Sequence, residues 1–146
     1  ASAGNNSPFH YLPDRDDVLS VAATDSTDVI ASFSNRGAYV DLAAPGVGIR
    51  STWSAQYQPA YAAELNGTSF SAPLASGVVA LLQSRHLPPF GPRRLTPRGV
   101  QLRLMESADD VSAQNPCGGR SFVRRVPMVR ITAAPPTSVP TAIAAM

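Results

Sequence analysis

The chain has no lysine, a single cysteine, two histidines and no long apolar run, and each shortage narrows its chemistry. All twelve basic residues are arginine, against ten acidic ones, for a formal charge of only +2. The missing lysine reads as codon bias rather than function. Arg93, Arg94 and Arg98 form one loose basic cluster, and Arg120, Arg124, Arg125 and Arg130 another. Nucleic-acid binding would call for aromatic residues interleaved with such charge. Few stand there, so these read as solvated surface arginines and no nucleic-acid partner is expected. Cys117 alone supplies neither a disulfide framework nor a zinc set; it is free or pairs with a cysteine outside this stretch. No run of about 18 apolar residues occurs, so no membrane-spanning helix is expected. No signal peptide is visible, and the chain opens on Ala1 rather than Met. It therefore reads as part of something longer, or as processed.

What remains suits one small domain. The 146 residues can bury a core, and 44% apolar with 15% charged residues is a globular balance. Short apolar runs suited to buried strands lie at 18–23, 39–43 and 48–52, with another at 61–65. Turn signals separate them, Ala44-Pro-Gly46 most clearly. From Ser69 to about His86, Leu74, Val78, Leu81 and Leu82 recur at helical spacing. Ala72, Ala75, Gly77 and Ala80 let such a helix approach its neighbours, so it is predicted to be buried on most sides. Pro73 is read as close enough to its start to cost little. Thr96-Pro97 opens a second helix carrying Val100, Leu102, Leu104 and Met105. Residues 133–146 are Pro-rich and small, and disorder is expected there. Strands alternating with helices predict an α/β layered fold, yet they are too few to complete a parallel sheet with both faces covered.

The strongest chemical signal is Asn66-Gly-Thr-Ser-Phe-Ser-Ala-Pro73, opening the long helix. A hydroxyl on Ser69 at a helix N-terminus sits beside an unpaired N–H and the positive end of the dipole. That is what acyl transfer requires of a nucleophile and an oxyanion donor. Taken alone, Gly-Thr-Ser would read as a helix cap. Likewise Ala1-Ser-Ala-Gly-Asn5 alone reads as a strand ending in a turn.

Context changes both readings. Gly67-Thr-Ser-Phe-Ser-Ala-Pro-Leu-Ala-Ser-Gly77 resembles the nucleophile signature of the subtilisin-like serine protease family (subtilases, peptidase S8). Ala1–Asn5, Val18–Asp25, Ala31–Asn35 and Val40–Gly46 with Ile49–Thr52 are similar to that family's segments in the same order. The resemblance covers residues 1–110 as the C-terminal half of the peptidase domain, leaving 111–146 as a divergent or disordered tail. It implies part of a three-layer α/β fold, with a mostly parallel sheet and a buried central helix starting at the nucleophile. It also implies Ser69 as nucleophile, Asn5 as oxyanion donor, and Ser2, Ala3 and Gly4 as one wall of the substrate pocket.

The family order is Asp, His, Ser, and neither the Asp nor the His motif occurs here. His10 lies in the loop after Asn5. His86 lies about 25 Å from Ser69 along the helix, and both read as surface residues. The resemblance thus implies a serine endopeptidase acting on polypeptides, secreted like its relatives, with the rest of the triad on the N-terminal half of the same domain as partner. The isolated chain is expected to be inactive and prone to aggregate. The alternative is an inactive half-domain or pseudoprotease acting as a binding module. Many members of the family bind calcium through loop oxygens, and the resemblance leaves calcium open as a cofactor. Asp14, Asp16 and Asp17 lack EF-hand spacing and read as a solvated acidic loop, so no metal ligand is assigned.

Overall fold

In the computed structural model residues 1–6, 12–13, 15–52, 62–87, 93–111 and 114–115 are described. His10, Asp14, Cys117 and the expected tail at 133–146 lie outside them.

Two short apolar segments become the central strands. β1 (Val21–Thr24) and β2 (Leu42–Pro45) pair in parallel, Val21 opposite Leu42 and Thr24 opposite Pro45. Residues 1–3 run parallel along the other edge of β1. Ser2 bridges to Val21, Ala3 N–H donates to Val21 O at 2.8 Å, and Val21 N–H donates to Ala1 O at 3.0 Å. β1 is buried throughout and β2 as far as Ala44, as expected of parallel strands covered on both faces. Side-chain alternation sorts the core into two sides. Ala22 and Ala43 pack with Ala3, Val40 and Val111. Val21, Leu42 and Ala44 pack toward the helices.

Both strands start later than their apolar runs. Ser20 N–H donates to the Asp41 carboxylate at 2.7 Å, while Asp41 and Leu42 N–H both donate to Ser20 O. A side chain thus stands where a ladder bond would be, and pairing begins only at Val21 and Leu42. Val40 N–H is spent on a turn to Gly37 O at 3.1 Å.

β3 (Ile49–Thr52) and β4 (Ala62–Leu65) form an antiparallel pair, Ile49 opposite Leu65. β4 runs almost directly into α1 (Thr68–Arg85), and α2 (Pro97–Ser107) follows. Thr96 caps α2, its hydroxyl accepting from Gly99 N–H at 3.1 Å. Val100 and Leu104 of α2 pack against Leu42 together with Val78, Val79 and Leu82 of α1. The Gln83 amide clasps Leu95 through two 3.0 Å bonds, Nε2 to Leu95 O and Leu95 N–H to Oε1, tying the end of α1 to the approach to α2.

Burial on most sides of α1 is met in this chain only along one stripe, Thr68, Ser71 and Ala75. Leu74 is 37% and Leu81 69% exposed. Pro73 is the sixth residue of α1 and not in its first turn. It removes the N–H that would have reached the Ser69 carbonyl.

The turn after β1 carries a pH signature. Asp25 Oδ1 accepts from Thr27 Oγ1 and Thr27 N–H, each at 2.8 Å, and from Val29 N–H at 3.0 Å. The Thr27 hydroxyl foremost, then the two backbone N–H groups, hold its pKa below the ordinary carboxylate range. A lowered folded pKa stabilises above the unfolded value of about 4 and loses that contribution as pH falls through the folded one. In the full-length protein, melts of wild type and Asp25→Asn should therefore differ at pH 6, and the difference should begin to shrink near about pH 4 and go on falling as pH drops further. A difference constant from pH 6 to pH 2 would exclude this.

Candidate active site

The C-terminal ends of the parallel strands are where open α/β sheets place their ligands, and here three chain segments meet at the start of α1. Gly67, the N-cap of α1, has no side chain with which to cap it. Asn5, 63 residues away, does so instead. Its Oδ1 accepts from Thr68 N–H at 3.0 Å and from Thr68 Oγ1 at 2.8 Å. Thr68 Oγ1 in turn accepts from Gly4 N–H at 3.2 Å, and Thr68 is 1% exposed. With its carboxamide oxygen held twice, the Asn5 side chain leaves its Nδ2 beside Gly67.

Gly67 defines what stands there. A Cβ at this position would lie 3.1 Å from Ser69 Oγ and 3.4 Å from Asn5 Nδ2. The hydroxyl and the amide therefore border one point, left open by the absent side chain. The Gly67 φ of 156° also belongs to a region that L-residues rarely adopt. Ser69 is exposed. Thr68 N–H goes to Asn5 and Phe70 N–H to Gly67 O at 3.1 Å. The Ser69 N–H between them has no acceptor among the described residues. It stays available at the positive end of an 18-residue helix.

The turn is anchored from below. Gly67 N–H donates to Gly46 O at 2.8 Å, Gly46 N–H to Thr24 O at 2.9 Å, and Ser71 Oγ to Pro45 O at 3.1 Å. A Cβ on Gly46 would collide with Ser71 Oγ, would come within 2.6 Å of Ala23 Cβ and 2.9 Å of Gly67 O. We expect Gly46→Ala to destabilise the full-length protein by about 1–3 kcal/mol through overpacking, read as a lower denaturation midpoint. An unchanged midpoint would mean the turn is looser than drawn.

Of the residues assigned from sequence, Ser69 and Asn5 are brought together. Ala3 is fully buried with its side chain in the core, its N–H taken by Val21 O and its carbonyl by Asn35 Nδ2, so of the three wall residues assigned from sequence only the half-buried Ser2 and Gly4 have surface to offer. His86 caps the far end of α1. From sequence, Thr68 and Ser71 stood only as members of the signature and Gly46 only as the end of a turn signal, none with a role at the site. What could have exposed Thr68 is the need of any oxyanion-type Asn for a partner that fixes which way its amide points.

Both oxygens of Asp17 are engaged by Arg15, at 2.8 and 2.6 Å, and Asp25 Oδ1 is spent on its own turn. No cluster of three potential ligands occurs among the described residues.

An exposed hydroxyl, a neighbouring carboxamide N–H and a backbone N–H with no acceptor among the described residues thus meet at one helix start, the groups that acyl transfer calls for. The family model described as "Subtilase family" matches residues 1–122. The chain belongs to the subtilase family. It is 33% identical over 115 residues to halolysin of Haloferax mediterranei, which covers 76% of this chain and 20% of halolysin. It is 44% identical over 94 residues to an extracellular protease of Xanthomonas campestris, covering 62% of this chain and 15% of that protein. The solved structure of a cold-adapted subtilisin-like serine proteinase superposes with a TM-score of 0.66 at 27% identity, over 91% of this chain and 44% of that one. The chain thus spans a fifth or less of these two relatives and under half of that structure.

Proposed function

We propose that Ser69 is the nucleophile and Asn5 an oxyanion donor of a serine endopeptidase whose catalytic His and Asp come from outside residues 1–146. The reading rests above all on Ser69 Oγ and Asn5 Nδ2 bordering one open point over Gly67. Ser69 Oγ attacks the peptide carbonyl, giving its proton to the histidine. The carbonyl oxygen, now negative, takes hydrogen bonds from Asn5 Nδ2 and Ser69 N–H. Collapse expels the amine, which receives the proton, and leaves an acyl-Ser69 ester. Water then cleaves the ester and restores the hydroxyl. The segment Ser2–Gly4 forms one pocket wall, with Ser2 and Gly4 supplying its accessible surface and the buried Ala3 fixing it to the core. Polypeptide is the substrate class, and the name of the Xanthomonas relative supports an extracellular setting.

The test is turnover of a peptide ester by the full-length protein. A burst of the released alcohol equal to the enzyme concentration is expected, since an ester acylates the serine faster than water hydrolyses the acyl-enzyme. A chain limited to residues 1–146 should show none. Absence of turnover in the full-length protein would favour an inactive binding module instead.

A further inference from the structure

The residue that holds the oxyanion donor's strand end in place stands outside both motifs. We propose that Asn35 is a positioning residue for Asn5, an inference that rests on the activity proposed above. Asn35 grips both carbonyls that precede Asn5. Its Nδ2 donates to Ala3 O at 3.2 Å and its backbone N–H to Gly4 O at 2.8 Å. Gly4 has a φ of +100°, a conformation open to glycine and strained for other residues. The Asn35 amide fills the space a side chain there would need, its Nδ2 standing 2.5 Å from the position of a Gly4 Cβ. On either side, Asn5 bridges to Ser34 and Asn6 N–H donates to Phe33 O at 2.8 Å.

Thr68 and Asn35 therefore act on different parts of one lever. Thr68 holds the Asn5 amide oxygen and the Gly4 N–H, whereas Asn35 holds the peptide planes from which Asn5 projects. Ala3 is fully buried, so without Asn35 its carbonyl must find another partner, and rotating the Ala3–Gly4 peptide is the available response. That rotation would carry Asn5 Nδ2 off the point it shares with Ser69 Oγ. Asn35 touches neither substrate nor Ser69 in this account, so it acts on the transition state only through Asn5.

The experiment is a double-mutant cycle in the full-length protein. Asn35→Ala should lower kcat about tenfold with KM changed less than about twofold, the signature of a misplaced transition-state donor. Asn35→Asp, which keeps the shape but loses the donor to Ala3 O, should do the same. In an Asn5→Leu background, Asn35→Ala should lower kcat by less than about twofold, because the group it positions is gone. Gln83→Ala is the control for simple loosening. It removes two hydrogen bonds remote from the site and should lower the melting temperature while sparing kcat. Equal losses from Asn35→Ala in both backgrounds, or no loss in an active wild type, would overturn the assignment to Asn35 alone. A wild type without turnover would overturn the proposed activity and this role with it.

Discussion

Ser69→Ala should lower kcat of the full-length protein on a peptide substrate by about 10⁶-fold, the loss measured on subtilisin itself when its nucleophile is removed. The hydroxyl is the group that forms the covalent bond, and no neighbour can replace it. Thr68, whose hydroxyl is next to it in sequence, is buried and engaged with Gly4 and Asn5. Ser69 is exposed, and its side chain has no hydrogen bond in the described structure, so the fold should not notice the change. The unfolding free energy should match wild type within the roughly 0.5 kcal/mol typical of such surface substitutions. Residual activity within tenfold of wild type would show that Ser69 is a helix-start serine and nothing more.

Asn5→Asp separates the two things Asn5 does. The carboxylate keeps the oxygen that caps α1, and a negative charge at a helix N-terminus is favourable. Stability should be kept or slightly raised. The amide that faces Ser69, however, becomes an acceptor carrying charge beside a developing oxyanion. We expect kcat to fall by at least about 10²–10³, or roughly 3–4 kcal/mol, the range known for losing one such donor in subtilisin. Asn5→Leu should lose both functions, with a similar fall in kcat and about 1 kcal/mol or more of stability from the lost cap. If Asn5→Asp melted far below wild type while its kcat held, Asn5 would be a structural cap, and the oxyanion role would be wrong.

The elements were legible in the sequence more readily than their edges. The apolar spacing of Leu74, Val78 and Leu82 and the signal at Thr96-Pro97 announced both helices. The strand starts were not legible, because Ser20 and Asp41 close the approach to the sheet with a side-chain bond that no periodicity records. Ser69 and Asn5 were reached through motif resemblance. That Asn5 caps the very helix on which Ser69 sits needed the fold, since 63 residues separate Asn5 from Thr68. For the same reason Asn35, Gly46 and Ser71 could not be placed beforehand: each acts through backbone carbonyls distant in sequence. Nor could apolar content tell which parts of α1 this chain covers. Leu81 is as apolar as Leu82, yet it is 69% exposed while Leu82 packs toward Leu42.

The proposed role of Ser69 is that of an activated nucleophile aimed at an oxyanion site built by Asn5. Its most direct test is to treat the full-length protein with a fluorophosphonate and map the adduct by peptide mass spectrometry. The account predicts a single phosphonylated residue, Ser69, with labelling abolished by Ser69→Ala and markedly slowed by Asn5→Asp. An unlabelled protein, or one in which Ser69→Ala is labelled as fast as wild type, would contradict it.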